Sequence, residues 1–474
     1  MANDHDADET YRIVRDPSDA PGPAFDGRPT FVAPRIPPPT VSTPAPVAPV
    51  PRASQMSKRV LLWVTAAVVV LALGVALLYF KPWAGPAPSQ WPTGSSGGEW
   101  SAVLGGTGDD ALLDVAVTGD GVVAVGYTAS SDGDFPIGSP ANGEDALIVK
   151  MTADGNLAWA KTFGGGGDDR FESVAVGPDG RIYAAGVFKG ADGDQAVVYC
   201  LTASGNVAWS KTYDGVHFAG VAMAADGGVI VVGSSEATTG TFADAKGGLV
   251  AELSTRGDVR WAHSFGDPGT SFGAVAVAGD GTIFAPGLVS GDAGADTAAM
   301  VAVKPDGTQL WLNGYADGGL SHINGLAVQD GRVIVVGAYL DPATYSYALV
   351  AAIDATDGTL AWVTPVQQDP SGLRAVCVTA GGDIIAAGSD LTSQDTADAA
   401  SSDGVIVDVA TDGTVAWNRL YGGSADDYFV GVAMAPNGQI IVVGATQSTD
   451  GVFPMKHPGT GGDAVVGVLN PDGT

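Results

Sequence analysis

Ser173–Tyr213 reads SVAVGPDGRIYAAGVFKGADGDQAVVYCLTASGNVAWSKTY. Four runs in it have strand character: Ser173–Val176, Arg181–Val187, Ala196–Thr202 and Asn206–Tyr213, each rich in aliphatic or aromatic residues. Two of the breaks between them are GPDG and ASG, where Gly and Asp supply the positive φ that tight hairpins require. The stretch therefore predicts four antiparallel strands in succession. A tryptophan marks the last of them, and Trp100, Trp159, Trp209, Trp261, Trp311, Trp362 and Trp417 recur in the same context at spacings of 59, 50, 52, 50, 51 and 55 residues. A period of about 50 residues with several short strands per period predicts a propeller rather than a helical solenoid.

The first strand of each unit is marked by Val115, Val174, Val221, Val275, Leu326, Val376 and Val432, which makes seven units. The chain enters this pattern on a fourth strand, Glu99–Leu104, and leaves it on a third, Asp463–Leu469. The expectation is an all-β, seven-bladed propeller of four-stranded blades over residues 99–474, closed by the N-terminal strand. Closure of this kind removes the free strand edges that otherwise invite aggregation.

Leu104–Pro136, LGGTGDDALLDVAVTGDGVVAVGYTASSDGDFP, and Tyr421–Pro454, YGGSADDYFVGVAMAPNGQIIVVGATQSTDGVFP, share GG, an acidic pair, a VA-containing strand, V-x-G and a loop ending in Phe-Pro. This pattern resembles the bacterial SBBP-type β-propeller repeat. The likeness is tight in blades 1 and 7, good in blade 2, and eroded in blades 3 to 6, where GG and the paired Asp are lost. It implies a surface or periplasmic repeat domain and carries no common catalytic machinery. Ala352–Trp362, AIDATDGTLAW, is similar to the tryptophan-docking repeat of quinoprotein-like propellers. That motif is mechanical and is shared by non-enzymatic assembly scaffolds.

Ahead of the ring, Val60–Phe80 (VLLWVTAAVVVLALGVALLYF) is a 21-residue run without a charge, the length a helix needs to cross a bilayer. Arg52, Lys58 and Arg59 precede it and Lys81 follows, which predicts a signal anchor with a cytoplasmic N-terminus. Cleavage near residues 84–87 is the competing reading. Residues 1–57 hold twelve prolines between Pro17 and Pro51 and no helical or strand period, so a disordered cytoplasmic tail is expected. Thr10 and Tyr11 beside acidic residues make it a candidate phosphorylation segment. The expected order is tail 1–57, transmembrane helix 58–81, Pro/Gly/Ser linker 82–98 and propeller 99–474. Such a chain places a monomeric ring in the periplasm or at the cell surface.

Charge sharpens this partition. The chain has 52 Asp and Glu against 22 Lys and Arg, a net charge of −30, yet residues 1–98 carry 8 basic and 7 acidic side chains. The ring alone therefore carries 14 basic and 45 acidic side chains, a net charge of −31. A surface of that sign excludes nucleic acid and disfavours anionic headgroups as partners of the ring. Cys200 and Cys377 sit in apolar runs of different units and are expected to be free, buried thiols.

Loops entering the innermost strands converge on a propeller's channel. Aligning those loops puts Asp109/Asp110, Asp168/Asp169 and Asp426/Asp427 at one equivalent position, His217 and His322 at another, and Glu172 and Arg374 at a third. The functional reading is a ligand site of Asp110, Asp169, His217, His322, Arg374 and Asp427, with the six aspartates as oxygen ligands suited to calcium. The structural reading is that Asp after Gly bonds its own loop or caps the adjacent blade. HExxH, G-x-S-x-G and GK[ST] motifs are missing from the sequence. The leading expectation is a membrane-anchored binding or scaffold protein whose partner is a protein or a cell-envelope glycan. The alternatives are a propeller enzyme (quinoprotein-like oxidoreductase, lyase or hydrolase) and a transmembrane sensor.

Overall fold

The computed structural model describes residues 98–474 apart from 136–142, 191–192, 291–295, 316–318, 341–345, 368–371, 392–400 and 458–460. The tail, the apolar run 60–80 and all but the last residue of the linker lie outside the described residues. Seven antiparallel sheets make up the rest, each a meander. Blade 1 is β2 (Asp110–Thr118), β3 (Gly121–Thr128), β4 (Asp145–Thr152) and β5 (Leu157–Phe163). Blade 2 is β6 (Arg170–Val176), β7 (Ile182–Gly190), β8 (Gly193–Leu201) and β9 (Val207–Asp214). Blade 3 is β10 (Val216–Met223), β11 (Val229–Ser235), β12 (Gly247–Leu253) and β13 (Val259–Phe265).

In blade 4 the innermost strand is split into β14 (Ser271–Phe272) and β15 (Ala276–Val277), followed by β16 (Ile283–Ser290), β17 (Asp296–Val303) and β18 (Gln309–Gly314). Its partner strand carries Pro286 opposite the break, and proline has no N–H to give a ladder. Blade 5 is β19 (Leu320–Gln329), β20 (Arg332–Leu340), β21 (Ser346–Asp354) and β22 (Leu360–Gln367). Blade 6 is β23 (Gly372–Val378), β24 (Ile384–Leu391), β25 (Ser402–Val409) and β26 (Val415–Tyr421). Blade 7 combines β27 (Asp427–Met434), β28 (Ile440–Thr446) and β29 (Asp463–Leu469) with β1 (Trp100–Leu104) from the other end of the repeat region. β1 pairs antiparallel with β29 from Trp100↔Val468 to Leu104↔Ala464, so the ring closes as its sequence phase predicts.

Strand position decides burial. The middle strands β12, β28 and β29 are buried at every residue, because blades cover both faces of the sheet. They read as continuous apolar runs for the same reason. Outer strands such as β9 alternate exposed and half-buried residues.

The tryptophan period has a physical cause. A Cβ on Gly155, Gly205, Gly257, Gly307, Gly358, Gly413 or Gly473 would touch the ring of Trp100, Trp159, Trp209, Trp261, Trp311, Trp362 or Trp417 respectively. Each pair joins the outer strand of one blade to the last turn of the next, all the way round the ring. These glycines have φ between 72° and 88°, so the turn needs glycine twice over. In four pairs the indole Nε1–H also donates across the joint: Trp100 to Ala153 O at 3.0 Å, Trp209 to Thr255 O at 2.9 Å, Trp261 to Pro305 O at 3.1 Å and Trp311 to Ala355 O at 3.2 Å. Removing the buried Trp311 ring by Trp311→Ala is expected to cost about 3–5 kcal/mol of stability in urea unfolding.

Both cysteines are free. Cys200 is buried, whereas Cys377 is half-buried with its thiol pushed up to about 12 by burial.

Candidate ligand site in the central channel

Every innermost strand carries an extra residue at one equivalent point of its pairing, and β19 carries a second, Ser321, nearer its start. The extra residue is Leu113 in β2, Glu172 in β6, Ala219 in β10, Asn324 in β19, Arg374 in β23 and Val430 in β27. In blade 4, Gly273–Val275 bridge the break with the same excess of one. A bulge bends the strand and re-aims its extra residue. The result is a ring of bulge residues lining one central cavity of about 270 Å³.

The glycine that follows the apolar run of each second strand belongs to this device. Opposite the residue before each bulge stands Gly126, Gly186, Gly233, Gly287, Gly337, Gly388 or Gly444. A Cβ at any of them would lie inside van der Waals contact of a carbonyl oxygen on the bulged strand.

The cavity holds opposite charges. Glu172 reaches the Arg170 guanidinium, Nε to Oε1, only at 3.8 Å. Arg374 is exposed to the channel and pairs with no carboxylate among the described residues. Asp114 accepts from Ser173 Oγ (2.9 Å) and Val174 N (2.8 Å) of blade 2, and from its neighbour Val115 N (2.8 Å). Its carboxyl faces the channel but is otherwise enclosed by protein, and this desolvation raises its pKa despite the three donors. Ser173 Oγ in turn accepts from Val221 N of blade 3 at 3.2 Å, and Asn324 Nδ2 donates to Leu373 O of blade 6 at 2.8 Å. The wall is thus cross-tied from blade to blade.

His217 and His322 occupy equivalent places two residues ahead of the bulges in β10 and β19; both are exposed and neither lines the cavity. Glu172 and Arg374 share the bulge position that their alignment predicts.

The six aspartates are placed differently from the ligand reading. Asp110, Asp169 and Asp427 are buried between blades and do not line the cavity. Strand alternation is the reason: they lie three residues before the bulge, on the opposite side from His217 and His322. Each accepts from the second glycine of its own GG: Gly106 N at 2.9 Å, Gly165 N at 2.7 Å and Gly423 N at 2.8 Å. Asp109, Asp168 and Asp426 cap the neighbouring blade, taking Gly462 N at 2.8 Å, Glu144 N at 3.4 Å and Ser402 N at 2.9 Å. Among the described residues no three His, Cys, Asp or Glu side chains come together as a metal site. The repeat motif therefore builds joints between blades, and the calcium set is not assembled at the channel mouth.

These joints set carboxylates against each other. A Cβ on Gly105 would touch Asp110 and Asp463, one on Gly164 would touch Asp169 and Asp145, and one on Gly422 would touch Asp427 and Asp403. Only a residue without a side chain fits there, which accounts for the first glycine of GG. Burial, with Asp463 adding to it, raises the Asp110 pKa against the bonds from Thr128, Ser130 and Gly106; burial and Asp169 do the same to Asp145. A raised folded value means the native state binds the proton more tightly than the unfolded chain. Stability from these groups is fully present below their ordinary value of about 3.8 and is lost as pH rises through the folded value. Asp110→Asn is expected to flatten that part of the profile, measured by urea unfolding between pH 4 and 8.

Residues 246–426 match a family model described as "Outer membrane protein assembly factor BamB". No curated protein sequence matches the chain. Among solved structures, the WD40 β-propeller domain of Doa1 is similar at 13% identity and TM-score 0.47, over 78% of this chain and 96% of that one. Quinohemoprotein alcohol dehydrogenase from Comamonas testosteroni is similar at 12% identity and TM-score 0.43, over 78% and 76%. The C-terminal WD40 domain of Sif2 is similar at 10% identity and TM-score 0.43, over 77% and 98%.

Proposed function

We propose that this protein is a membrane-anchored, extracytoplasmic docking module whose propeller presents one face to a protein or cell-envelope glycan. The carrying observation is the inequality of the two faces. In a four-stranded meander the connections from first to second and from third to fourth strand emerge on one side, and the remaining ones on the other. The first side consists of tight turns such as 119–120, 153–156 and 254–258. The second carries unequal connections, 129–144, 236–246 and 447–462 against 191–192. Recognition sits preferentially on such loops when a rigid scaffold holds them. The match of residues 246–426 to an assembly-factor family supports a scaffold role. The apolar run 60–80 and the linker 82–98 supply the anchor and spacer, with the N-terminus in the cytoplasm.

A photo-crosslinking amino acid placed in the full-length chain in its own membranes tests this. Adducts are expected from Asp132, Thr238 and Asp450 on the loop face, and not from Asp154 or Arg256 on the turn face. Equal adducts from both faces, or none from the loop face, would remove the basis for the reading.

A further inference from the structure

We propose that blade 1 is held in the ring by protons: Asp110 with Asp463, and Asp145 with Asp169, each keep one proton between two carboxyl groups, and its loss as pH rises loosens blade 1 from both neighbours. The pairs stand at the two borders of this blade. Asp463 of β29 meets Asp110 of β2 at one, and Asp145 of β4 meets Asp169 of β6 at the other. In each pair an oxygen of either carboxyl comes within 2.7 Å of a single point, the place of a Cβ on Gly105 or on Gly164. All four side chains are buried. Two ionised carboxylates at that range, out of water and without a counter-charge, repel strongly, and one proton shared by the pair relieves the repulsion.

The ring supplies no counter-charge. None of the four is in an ion pair among the described residues. The stretches of the ring outside the described residues contain no Lys, Arg or His, so no cation comes from there. The charged groups around the first pair are Asp109, Asp134, Lys456 and His457. Lys456 Nζ is bonded to Asp134 at 2.8 Å, and His457 offers Asp463 its backbone N–H at 3.0 Å. Around the second pair are Glu144, Asp168, Arg170 and Lys189, with Tyr199 close to Asp169. The Lys189 ammonium is taken by Asp194 at 2.6 Å, and Arg170 reaches Glu172 at 3.8 Å. Desolvation, with the partner carboxylate adding to it, raises Asp110 and Asp145 above their ordinary value. The stabilisation is therefore present at acid pH and is lost as pH rises through the folded value. Blade 3 meets blade 4 without such a pair: the corresponding point on Gly266 is approached by the neutral Thr270 hydroxyl. The sensitivity to pH is thus local to blade 1, which sets this device apart from a general effect on the ring.

Hydrogen exchange of the full-length chain in detergent, read by mass spectrometry at pH 4 and pH 8 and corrected for the intrinsic rate, tests this. The reporter is β4 of blade 1 and the reference is β12 of blade 3, third strands whose first seven residues are all buried. Opening of β4 relative to β12 is expected to rise about tenfold or more from pH 4 to pH 8, the factor carried by one unit of pKa shift. Asp463→Asn combined with Asp145→Asn makes the bond permanent. Asp463 Oδ2 holds the N–H groups of Lys456 and His457 while Oδ1 faces Asp110, so an asparagine amide in the place of Oδ1 donates as the proton does. This variant is expected to abolish the change with pH. A ratio that does not change with pH in the unaltered chain, or that changes equally in the folded variant, overturns the proposal. Calcium chloride added at pH 8 is expected to alter nothing; restored protection of β4 would assign the pairs to a metal ion and overturn it as well. The unaltered chain decides the question where the variant does not fold.

Discussion

Removing residues 1–104 is expected to open the ring, whereas removing residues 1–98 leaves it closed. The two truncations differ by six residues, but those six include all of β1. β1 supplies the last strand of blade 7, buries Leu104 and sends Trp100 onto Gly155 and the Ala153 carbonyl of blade 1. Loss of one buried Leu side chain alone costs about 2–5 kcal/mol, and the Trp100 joint adds to it. Against a total stability of roughly 5–15 kcal/mol, that is a large share. The second consequence is an exposed edge on β29, whose seven residues are otherwise buried and, Asp463 aside, carry no polar side chain. An edge of that kind pairs with other chains. Light scattering after gel filtration is expected to show a monomer for the shorter truncation and dimers or larger species for the longer one, with a lower urea midpoint. Identical monomers with identical midpoints would show that closure does not depend on β1.

The second large effect is expected from Gly444→Ala and Gly126→Ala. Both glycines face the residue before a bulge, where a methyl group would enter the space of the Tyr428 or Ala111 carbonyl oxygen. The obstacle is backbone on a strand held by neighbouring blades, so it has little room to move. A cost on the order of 3 kcal/mol is expected for each. Gly119→Ala is the control: this exposed glycine has nothing near its would-be Cβ, and its replacement should stay within about 0.5 kcal/mol. Urea unfolding of the three variants separates a steric role of the second-strand glycine from a general effect of glycine content. If all three behave alike, the bulge account of the motif is wrong.

Much of the architecture is legible in one dimension because it repeats. A tryptophan every fifty residues or so, a glycine in the turn before it, and a phase offset between the two ends suffice to give seven blades and their closing strand. Within blade 2 the expected strand Ser173–Val176 is observed as Arg170–Val176, and Ala196–Thr202 as Gly193–Leu201. The strands begin earlier than hydrophobicity suggests, because ladder hydrogen bonds do not require apolar side chains. The equivalence of Glu172 with Arg374, and of His217 with His322, is likewise a matter of counting along aligned loops.

The orientation of the acidic pairs is another matter. Asp110 is wedged between blades, whereas His217, one place further along the aligned innermost strands, is exposed. A period of two assigns neighbours to opposite sides but does not say which side is the channel. The bulge then shifts that assignment by one residue for everything beyond it, and it is visible only where a strand is paired with its partner. For this reason Asp114, Ser173 and Asn324 escaped notice in the sequence, although the Asp before VAV in blade 1 was a usable signal. The acidic pairs looked like ligands and are joints.

The sequence by itself determined the number of blades, their phase, the closing strand and the confinement of negative charge to the ring, since each is a property of repetition or of counting. Tertiary structure alone decided which side chains meet. Carboxylates from the third strand of one blade and the first strand of the next share a glycine, and Glu172 and Arg374, about two hundred residues apart, face one cavity. Those meetings depend on strand register, on a one-residue bulge repeated seven times, and on curvature that brings the first and last units together.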